Sequence, residues 1–406
     1  MMARMMRATG WALVLGVLAL APASPAAAKK ARPPSGGPKV SQNFREAMTR
    51  AQLAASSGNP GMLRQQLNVA SSAAQSADEK YFVGALRYKQ ADAANDRMEM
   101  RKGANEMLLS GSAQLADAAQ TALLAGGLAY ETNDPGEAIA RMAQADQLGS
   151  KDVARFLVSA ESLARLRRPA EALVMFEKAL GQPGVSPKDS WYLRAMSLAN
   201  AAKQPADIAR WGAALIRDFP SPENCRIAAF TYRDGSKLDG IDLLDLSRLV
   251  VDAKGLAGER DVLEFANVGL TNGAGGEAKR AIEQGYASVY ISKVSPAAKT
   301  SLASATSKAM AERGAASGGE KAAFASSDGK GALAVANAWL ASGESEKAVS
   351  FYRLALNKGK VDANQVNLRL GIALNRAGRN ADAATAFAAV TGARKPIADL
   401  WAAFAR

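Results

Sequence analysis

Between Ala332 and Val390 small and apolar residues fall at helical spacings in two blocks that share one register. Trp339, Gly343, Ala348, Tyr352, Ala355 and Leu356 mark the first block; Gly371, Leu374, Gly378, Ala383, Phe387 and Val390 mark the second, about 35 residues on. The pattern predicts two helical hairpins. Small residues let the antiparallel helices of a hairpin approach closely, and aromatics fill the space between one hairpin and the next.

The same rhythm runs upstream. Gly126, Ala138, Met142 and Ala145 make one unit, with Asn133, Asp134 and Pro135 turning the chain between its helices. Ala160, Ala172, Phe176, Ala179 and Leu180 make the next, closed by Pro183 and Gly184. Trp191, Ala195, Trp211, Ala214 and Leu215 make a third, closed by Phe219 and Pro220. In this third unit Asp207 stands where a small residue is expected, so packing there is looser or shifted by one residue. Before Ser110 the pattern is helical but poor in markers: Ser41 caps a helix reaching Ser57, Asn59-Pro60-Gly61 breaks it, and Ser76 or Asp78 opens another. Markers thin again from Cys225 to Ala266, where helices are expected over 241–251 and 260–270. The stretch 292–331 is rich in Ala, Ser, Gly and Lys and reads as irregular helix or as a flexible join.

These residues resemble the tetratricopeptide repeat, a helix–turn–helix unit of about 34 residues. The resemblance implies an all-α, irregular right-handed superhelical solenoid of antiparallel helix pairs. It also implies a concave groove lined by the first helix of each hairpin, with peptide-binding side chains at fixed positions. Carried onto this chain, the groove presents Tyr130 and Glu131, Glu161 and Arg165, Tyr192 and Asn200, then Asn337, Asn375 and Arg376. Tyr, Asn, Arg and Glu can hydrogen-bond an extended backbone and pack on apolar side chains. Family members that grip a chain terminus use Lys and Asn one turn apart. Here the corresponding first positions are Leu123, Leu157, Leu333 and Leu368, so binding of that type is not expected.

Composition narrows the function. The 406 residues exceed one compact core, whereas a stacked solenoid grows without a central one. Hydrophobic residues reach 48% and aromatics only 6%, which suits closely packed helices. There is no histidine and a single cysteine, Cys225. That excludes imidazole acid–base chemistry, His-based zinc sites, iron–sulfur sites and any intramolecular disulfide. No cofactor-binding motif is present, and any metal would need oxygen ligands alone.

The first 28 residues read as a cleaved export signal: Arg4 and Arg7, an apolar run from Trp11 to Leu20, and Ala26 and Ala28 before the cut. The apolar run is about half the ~20 residues that span a bilayer, so no permanent anchor is expected, nor any later transmembrane segment. Formal net charge is +13; removing Arg4 and Arg7 leaves 13 − 2 = +11. Lys29, Lys30, Arg32 and Lys39 place four of these on a basic, disordered leader. The excess favours acidic surfaces, but no aromatic-studded basic cluster indicates nucleic acid.

The expected organisation is a signal peptide (1–28), a basic leader (29–40), degenerate N-terminal hairpins (41–113), clear repeats (114–220), degenerate helical repeats (221–291), a helical or flexible join (292–331), and C-terminal repeats with a capping helix (332–406). Other strings read as structure. Gly273 to Lys279 lacks P-loop spacing and is expected to be a turn between hairpin helices. Asp234, Asp239, Asp242 and Asp245 lack a calcium-loop pattern and read as helix-start and solvent-face carboxylates. Glu161-Ser162 shares two letters with the catalytic acid region of lytic transglycosylases and none of the surrounding motif. Cys225 reads as a small buried helix residue.

The sequence therefore predicts a periplasmic or secreted, non-catalytic interaction or assembly scaffold of a bacterial cell envelope, binding other envelope proteins or peptides. The alternatives are an accessory to exopolysaccharide or peptidoglycan synthesis or export that binds acidic glycan and, further off, a glycan-cleaving enzyme using carboxylates.

Overall fold

The computed structural model describes residues 40–405, and among these the fold is an all-α solenoid of antiparallel helix pairs. The expected signal peptide and all but the last residue of the expected leader lie outside the described residues. Two compact units are present, one ending at Val158 and the other beginning at Ser159. Unit 1 holds α1 (Gln42–Ser56) with α2 (Pro60–Ala73), α3 (Ala77–Ala93) with α4 (Arg97–Leu109), and α5 (Ala118–Glu131) with α6 (Pro135–Gln147). The division falls within α7 (Ala154–Arg165), which turns into α8 (Pro169–Leu180). Unit 2 continues with α9 (Asp189–Ala201) and α10 (Pro205–Asp218), α11 (Pro222–Gly235) and α12 (Gly240–Asp252), and α13 (Glu259–Thr271) and α14 (Gly275–Ala287). The long α15 (Pro296–Ala325) follows, then α16 (Lys330–Ser342) with α17 (Ser345–Lys358), α18 (Ala363–Arg376) with α19 (Asn380–Ala388), and a last helix α20 (Lys395–Phe404).

One turn design recurs inside the hairpins. A residue in the left-handed region reverses the chain, and the next residue is the N-cap of the second helix: Gly58 then Asn59, Asn95 then Asp96, Asn133 then Asp134, Gly343 then Glu344, Gly378 then Arg379. Asn59, Asp96 and Asp134 each accept a hydrogen bond from an orphan N–H of the first turn, which stabilises the start of the helix. Arg167 and Lys203 occupy the same place in two turns without glycine's freedom.

A size rule fixes how the two helices of each hairpin mesh. A small buried residue on the first helix is followed sixteen positions later by a large buried one on the second: Ala51 and Leu67, Gly84 and Met100, Gly126 and Met142, Ala160 and Phe176, Ala228 and Leu244, Ala266 and Ile282, Ala336 and Tyr352, Gly371 and Phe387. The fit is tight. A β-carbon at Gly126 would stand 2.9 Å from Met142 Cε, and one at Gly371 would stand 2.4 Å from the Phe387 ring. The α9–α10 hairpin inverts the rule, with Met196 first and Gly212 second. Gly212 makes room for α20: a β-carbon there would meet Ala228 at 3.0 Å and Leu400 at 3.1 Å. Asp207 is half-buried, and the core position falls on the next residue, Ile208, which is fully buried. The one-residue shift keeps the carboxylate out of the apolar layer.

The stretch 292–331 contains a continuous helix of 30 residues, α15, whose buried face is made of Ala298, Ala305, Ala316 and Ala323. It stands between α14 and α16 and contacts both. Its glycines do not break it; Gly319 lets Val335 of α16 come close. Downstream, α20 packs on α10, α11 and α12 as well as on α19, so the array of unit 2 returns on itself.

Two local features carry measurable consequences. Glu79 completes a capping box at the start of α3 and also accepts from the N–H of Ser41 at 2.6 Å and of Gln75 at 2.7 Å. Burial pushes this carboxyl up, but the Ser76, Ser41 and Gln75 N–H donors outweigh burial and hold it at about 2, against an ordinary 4.5. A folded-state pKa below the unfolded one stabilises above the unfolded value and loses that contribution as pH falls towards the folded value. The share of stability due to Glu79, roughly 2–3 kcal/mol, is therefore present above pH ~4.5 and lost towards pH ~2. In Glu79→Gln the slope of urea-unfolding free energy between pH 4.5 and 2.5 should be shallower than in the parent; unchanged slopes would contradict the assignment. The second feature is Val289, a β-branched residue at φ +59° whose side chain is 86% exposed. Val289→Gly relieves a left-handed cost of about 1–2 kcal/mol without losing packing, so unfolding free energy should rise by ~1 kcal/mol. A decrease would mean that the valine makes contacts that outweigh its strain.

Candidate functional site

Unit 2 buries a charged cluster between α12, α14 and α18. On α12, Asp245, Arg248 and Asp252 lie three and four residues apart, which puts them along one stripe of the helix. Arg248 pairs with Asp245 on its own helix and with Glu277 of α14 (Nη2–Oε2 2.6 Å, Nε–Oε2 3.0 Å). From α18, Arg369 Nε reaches Asp245 at 3.0 Å, and Arg376 clamps Asp252 through Nε at 2.8 Å and Nη2 at 3.0 Å. Arg376 also reaches Glu277. Arg369 donates to Asn337 Oδ1 at 2.9 Å, which accepts the Tyr352 hydroxyl at 2.8 Å. The Trp401 indole N–H of α20 closes the cluster on the Asp245 carbonyl at 2.8 Å.

Three carboxylates thus face three guanidiniums in a site where Asp245 is 0% exposed. Burial alone would raise Glu277, but the Arg248 and Arg376 guanidiniums beside it hold its carboxyl well below the usual carboxylate range. Burial works against both arginines, and their carboxylate partners nevertheless raise them. At the edge of the cluster Arg394 bridges Asp242 at 2.6 Å and Asp362 at 2.5 Å. The expectation of solvent-face carboxylates is corrected here for Asp242 and Asp245, whose partners lie 152 and 124 residues further along the chain. Asp239 does cap its helix, accepting from the Asp242 N–H. Of the Gly273–Lys279 string only Gly273 and Ala274 form the hairpin turn; Gly275 to Lys279 open α14, and the N–H groups of Gly275 and Gly276 donate to the Glu312 carboxylate of α15 at 2.8 and 3.1 Å. The helix terminus therefore holds an internal anion.

The residues expected in a first-helix groove fall into two groups. Tyr192 is buried against Trp211 and Phe219, and its hydroxyl donates to Asp218 at 2.6 Å; burial and that carboxylate push the phenol up to about 12. Asn337 and Arg376 belong to the charged cluster. Asn375 is half-buried and donates to Asn380 at 3.4 Å. Glu161 is half-buried and held by a two-pronged Arg194 at 2.8 Å on each oxygen. Glu131, Arg165 and Asn200 are exposed, Tyr130 is half-buried, and Glu131 lies 3.5 Å from Arg97. Leu123, Leu157 and Leu368 are buried core residues, and Leu333 is half-buried. Cys225 is 2% exposed, and burial pushes its thiol up to about 11.

An open depression of about 640 Å³ lies in unit 1, lined mainly by α4, with Ser71 of α2, Lys80 and Val83 of α3 and Glu137 of α6. Its acids and Arg101 rest on internal partners, whereas Lys80 and Lys102 are exposed and make no ion pair among the described residues. Arg87, 1% exposed, pairs with Glu99 at 2.7 Å and Glu106 at 2.8 Å, while Arg101 binds Glu137 and Asp134. Two large apolar side chains line it in the open, Met98 at 61% and Leu109 at 64% exposure. The Asn105 amide donates to Glu137 at 2.6 Å, and its oxygen is buried without a donor. The groove lies mainly along the second helix α4, outside the first-helix positions to which the repeat resemblance points.

No protein-family model matches the chain, and no curated protein does. Among solved structures, a chain of the "Structure of Naa15/Naa10 bound to HypK-THB" is similar at 13% identity with a TM-score of 0.30. The match covers 88% of this chain and 65% of that one. Among the described residues no helix is long and apolar enough to cross a membrane, and no group of three or more Cys, Asp or Glu is placed to hold a metal ion.

Proposed function

We propose that this protein is a non-catalytic interaction or assembly scaffold of a bacterial cell envelope, holding partner proteins or peptides on its helical repeats. The observation that carries the reading is the unit 1 groove, about 640 Å³ and open, with Met98 and Leu109 exposed beside paired Glu99, Arg101, Glu106 and Glu137 and beside Lys80 and Lys102, which make no ion pair among the described residues. Such a surface offers apolar area together with two cationic side chains that a partner's acidic groups can pair. Glu131, Arg165 and Asn200 are the first-helix residues left exposed for further contacts. Tyr192, Asn337 and Arg376 serve as internal fasteners.

The test is recovery of partners from an envelope fraction by the chain beginning at Lys29. Met98→Asp with Leu109→Asp should lose at least ten-fold of a specific partner, and a Glu131/Arg165/Asn200 triple alanine variant should lose less. Equal recovery by all three proteins would reject the groove. Partner loss that appears only on raising salt, with the aspartate pair unaffected, would favour an acidic glycan ligand.

A further inference from the structure

A second surface, in unit 2, lies outside the groove just described. The loop joining α14 to α15 displays Val289 at 86%, Val294 at 76% and Tyr290 at 46% exposure, three apolar side chains within six residues. The loop is nevertheless fixed. Ile291 is 2% exposed beneath it, and the N–H groups of Tyr290 and Ile291 both donate to the Gly285 carbonyl, at 2.9 and 3.1 Å. Gly285 permits this because a β-carbon would stand 2.7 Å from Ile291 Cδ1. At the far end the Ser295 hydroxyl donates to Glu259 at 2.5 Å. A loop this well tied down, yet holding a β-branched residue left-handed and in water, presents a preformed apolar knuckle.

Beside the knuckle is a slot of about 220 Å³ with Val251, Leu256, Val262 and Ala281 on one part of its wall and the polar Gln284 and Ser288, with Tyr290 and the exposed Lys254, on the rest. A cavity of about 150 Å³ already admits benzene, so this one takes a single branched or aromatic side chain. The surrounding charge leans positive. Lys254 and Lys293 are exposed and make no ion pair among the described residues, and of the nearby acids Asp252 is paired with Arg376 and Asp261 with Arg226, while Glu259 accepts from the Ser295 hydroxyl and keeps its charge. A partner segment is thus selected by one apolar side chain and by negative charge around it. We propose that the slot and the Val289–Val294 knuckle dock an extended acidic segment of a partner protein, with one leucine-sized side chain seated in the slot.

Fluorescence anisotropy on the chain beginning at Lys29 tests this with a labelled Glu-Asp-Leu-Asp-Glu peptide. Two control peptides replace its leucine by serine or its acids by lysines. The acidic leucine peptide should bind at least ten-fold more tightly than either control. Val289→Asp and Lys254→Glu, both at exposed positions, should each weaken it five-fold or more, and Lys254→Glu should gain affinity for the lysine peptide. Met98→Asp with Leu109→Asp should leave it unchanged, which separates this site from the unit 1 groove. Equal affinity for the three peptides, or insensitivity to both unit 2 variants, would overturn the proposal. So would binding of phosphatidylglycerol vesicles that competes with the peptide and is lost in Val289→Asp, which would make the knuckle a lipid contact.

Discussion

Asp245→Ala should destabilise unit 2 by about 3–5 kcal/mol, the cost typical of removing one member of a buried ion pair. Asp245 is 0% exposed and receives both Arg248 and Arg369, themselves 2% and 5% exposed. Without it two guanidiniums remain in a site that water does not reach. Arg369 is the more exposed to loss, because its Nη2 already lacks a hydrogen-bond partner. Asp245→Asn should cost less, since the amide oxygen still accepts one of the arginines while the charge is missing. The contrast case is an exposed inter-repeat pair such as Arg353 and Asp382, 3.5 Å apart with side chains about half exposed. Breaking it should change stability by less than 1 kcal/mol. Urea titration of the full chain, reading the transition that Asp245 variants move, distinguishes these outcomes. A loss of under 1 kcal/mol for Asp245→Ala would mean that the cluster is solvated and does not hold the array together.

Trp401→Ala is the second large effect, at about 3–5 kcal/mol for a fully buried aromatic. Trp401 is 0% exposed, stacks on Phe387 with ring centroids 6.1 Å apart, meets Phe404 edge-on at 5.9 Å, and donates to the Asp245 carbonyl. Its removal empties the junction between α19 and α20 and frees α20 from α10 and α12. Trp401→Phe should keep much of the packing and lose only the N–H contact, for about 1–2 kcal/mol. If both substitutions cost the same small amount, α20 is a peripheral helix and the closure is weak.

Much of the fold was legible in the residues. Ala138, Ala172, Ala348 and Ala383, with the large residues that follow them, set a register that the helix pairs obey. The shift at Asp207 is visible in Pro135, Pro169 and Pro205, each the first residue of a second helix, because Ile208 stands three residues after its proline as Ala138 and Ala172 do. The inverted Met196 and Gly212 pair was also present as letters. Its meaning was not, because the group that fills the gap, Leu400, belongs to a helix nearly 200 residues away.

The same limit explains the acidic residues of α12. Periodicity sees one helix at a time, and on that helix Asp242 and Asp245 look like solvent-face carboxylates. Their burial is set by Arg394, Arg369 and Trp401, which arrive only when the array closes. Tyr192, Asn337 and Arg376 fall at first-helix positions for the same reason that any residue at that spacing does. Whether such a position faces a partner or a neighbouring helix depends on contacts 26 to 124 residues distant in sequence. The unit 1 groove lies mainly on the second helix α4, where the repeat resemblance gives no reason to look.

Hydrogen exchange on the full chain tests the closure of unit 2 most directly. In the parent protein the amides of α12 and α18 should share one slow exchange rate, since Asp245–Arg369 and Asp252–Arg376 join the two helices. In Trp401→Ala protection in both helices should fall together and by a similar factor. An array held only by nearest neighbours would instead lose protection from its C-terminal end, in α18 and α19, while α12 kept the parent rate. That second pattern would contradict the closed arrangement.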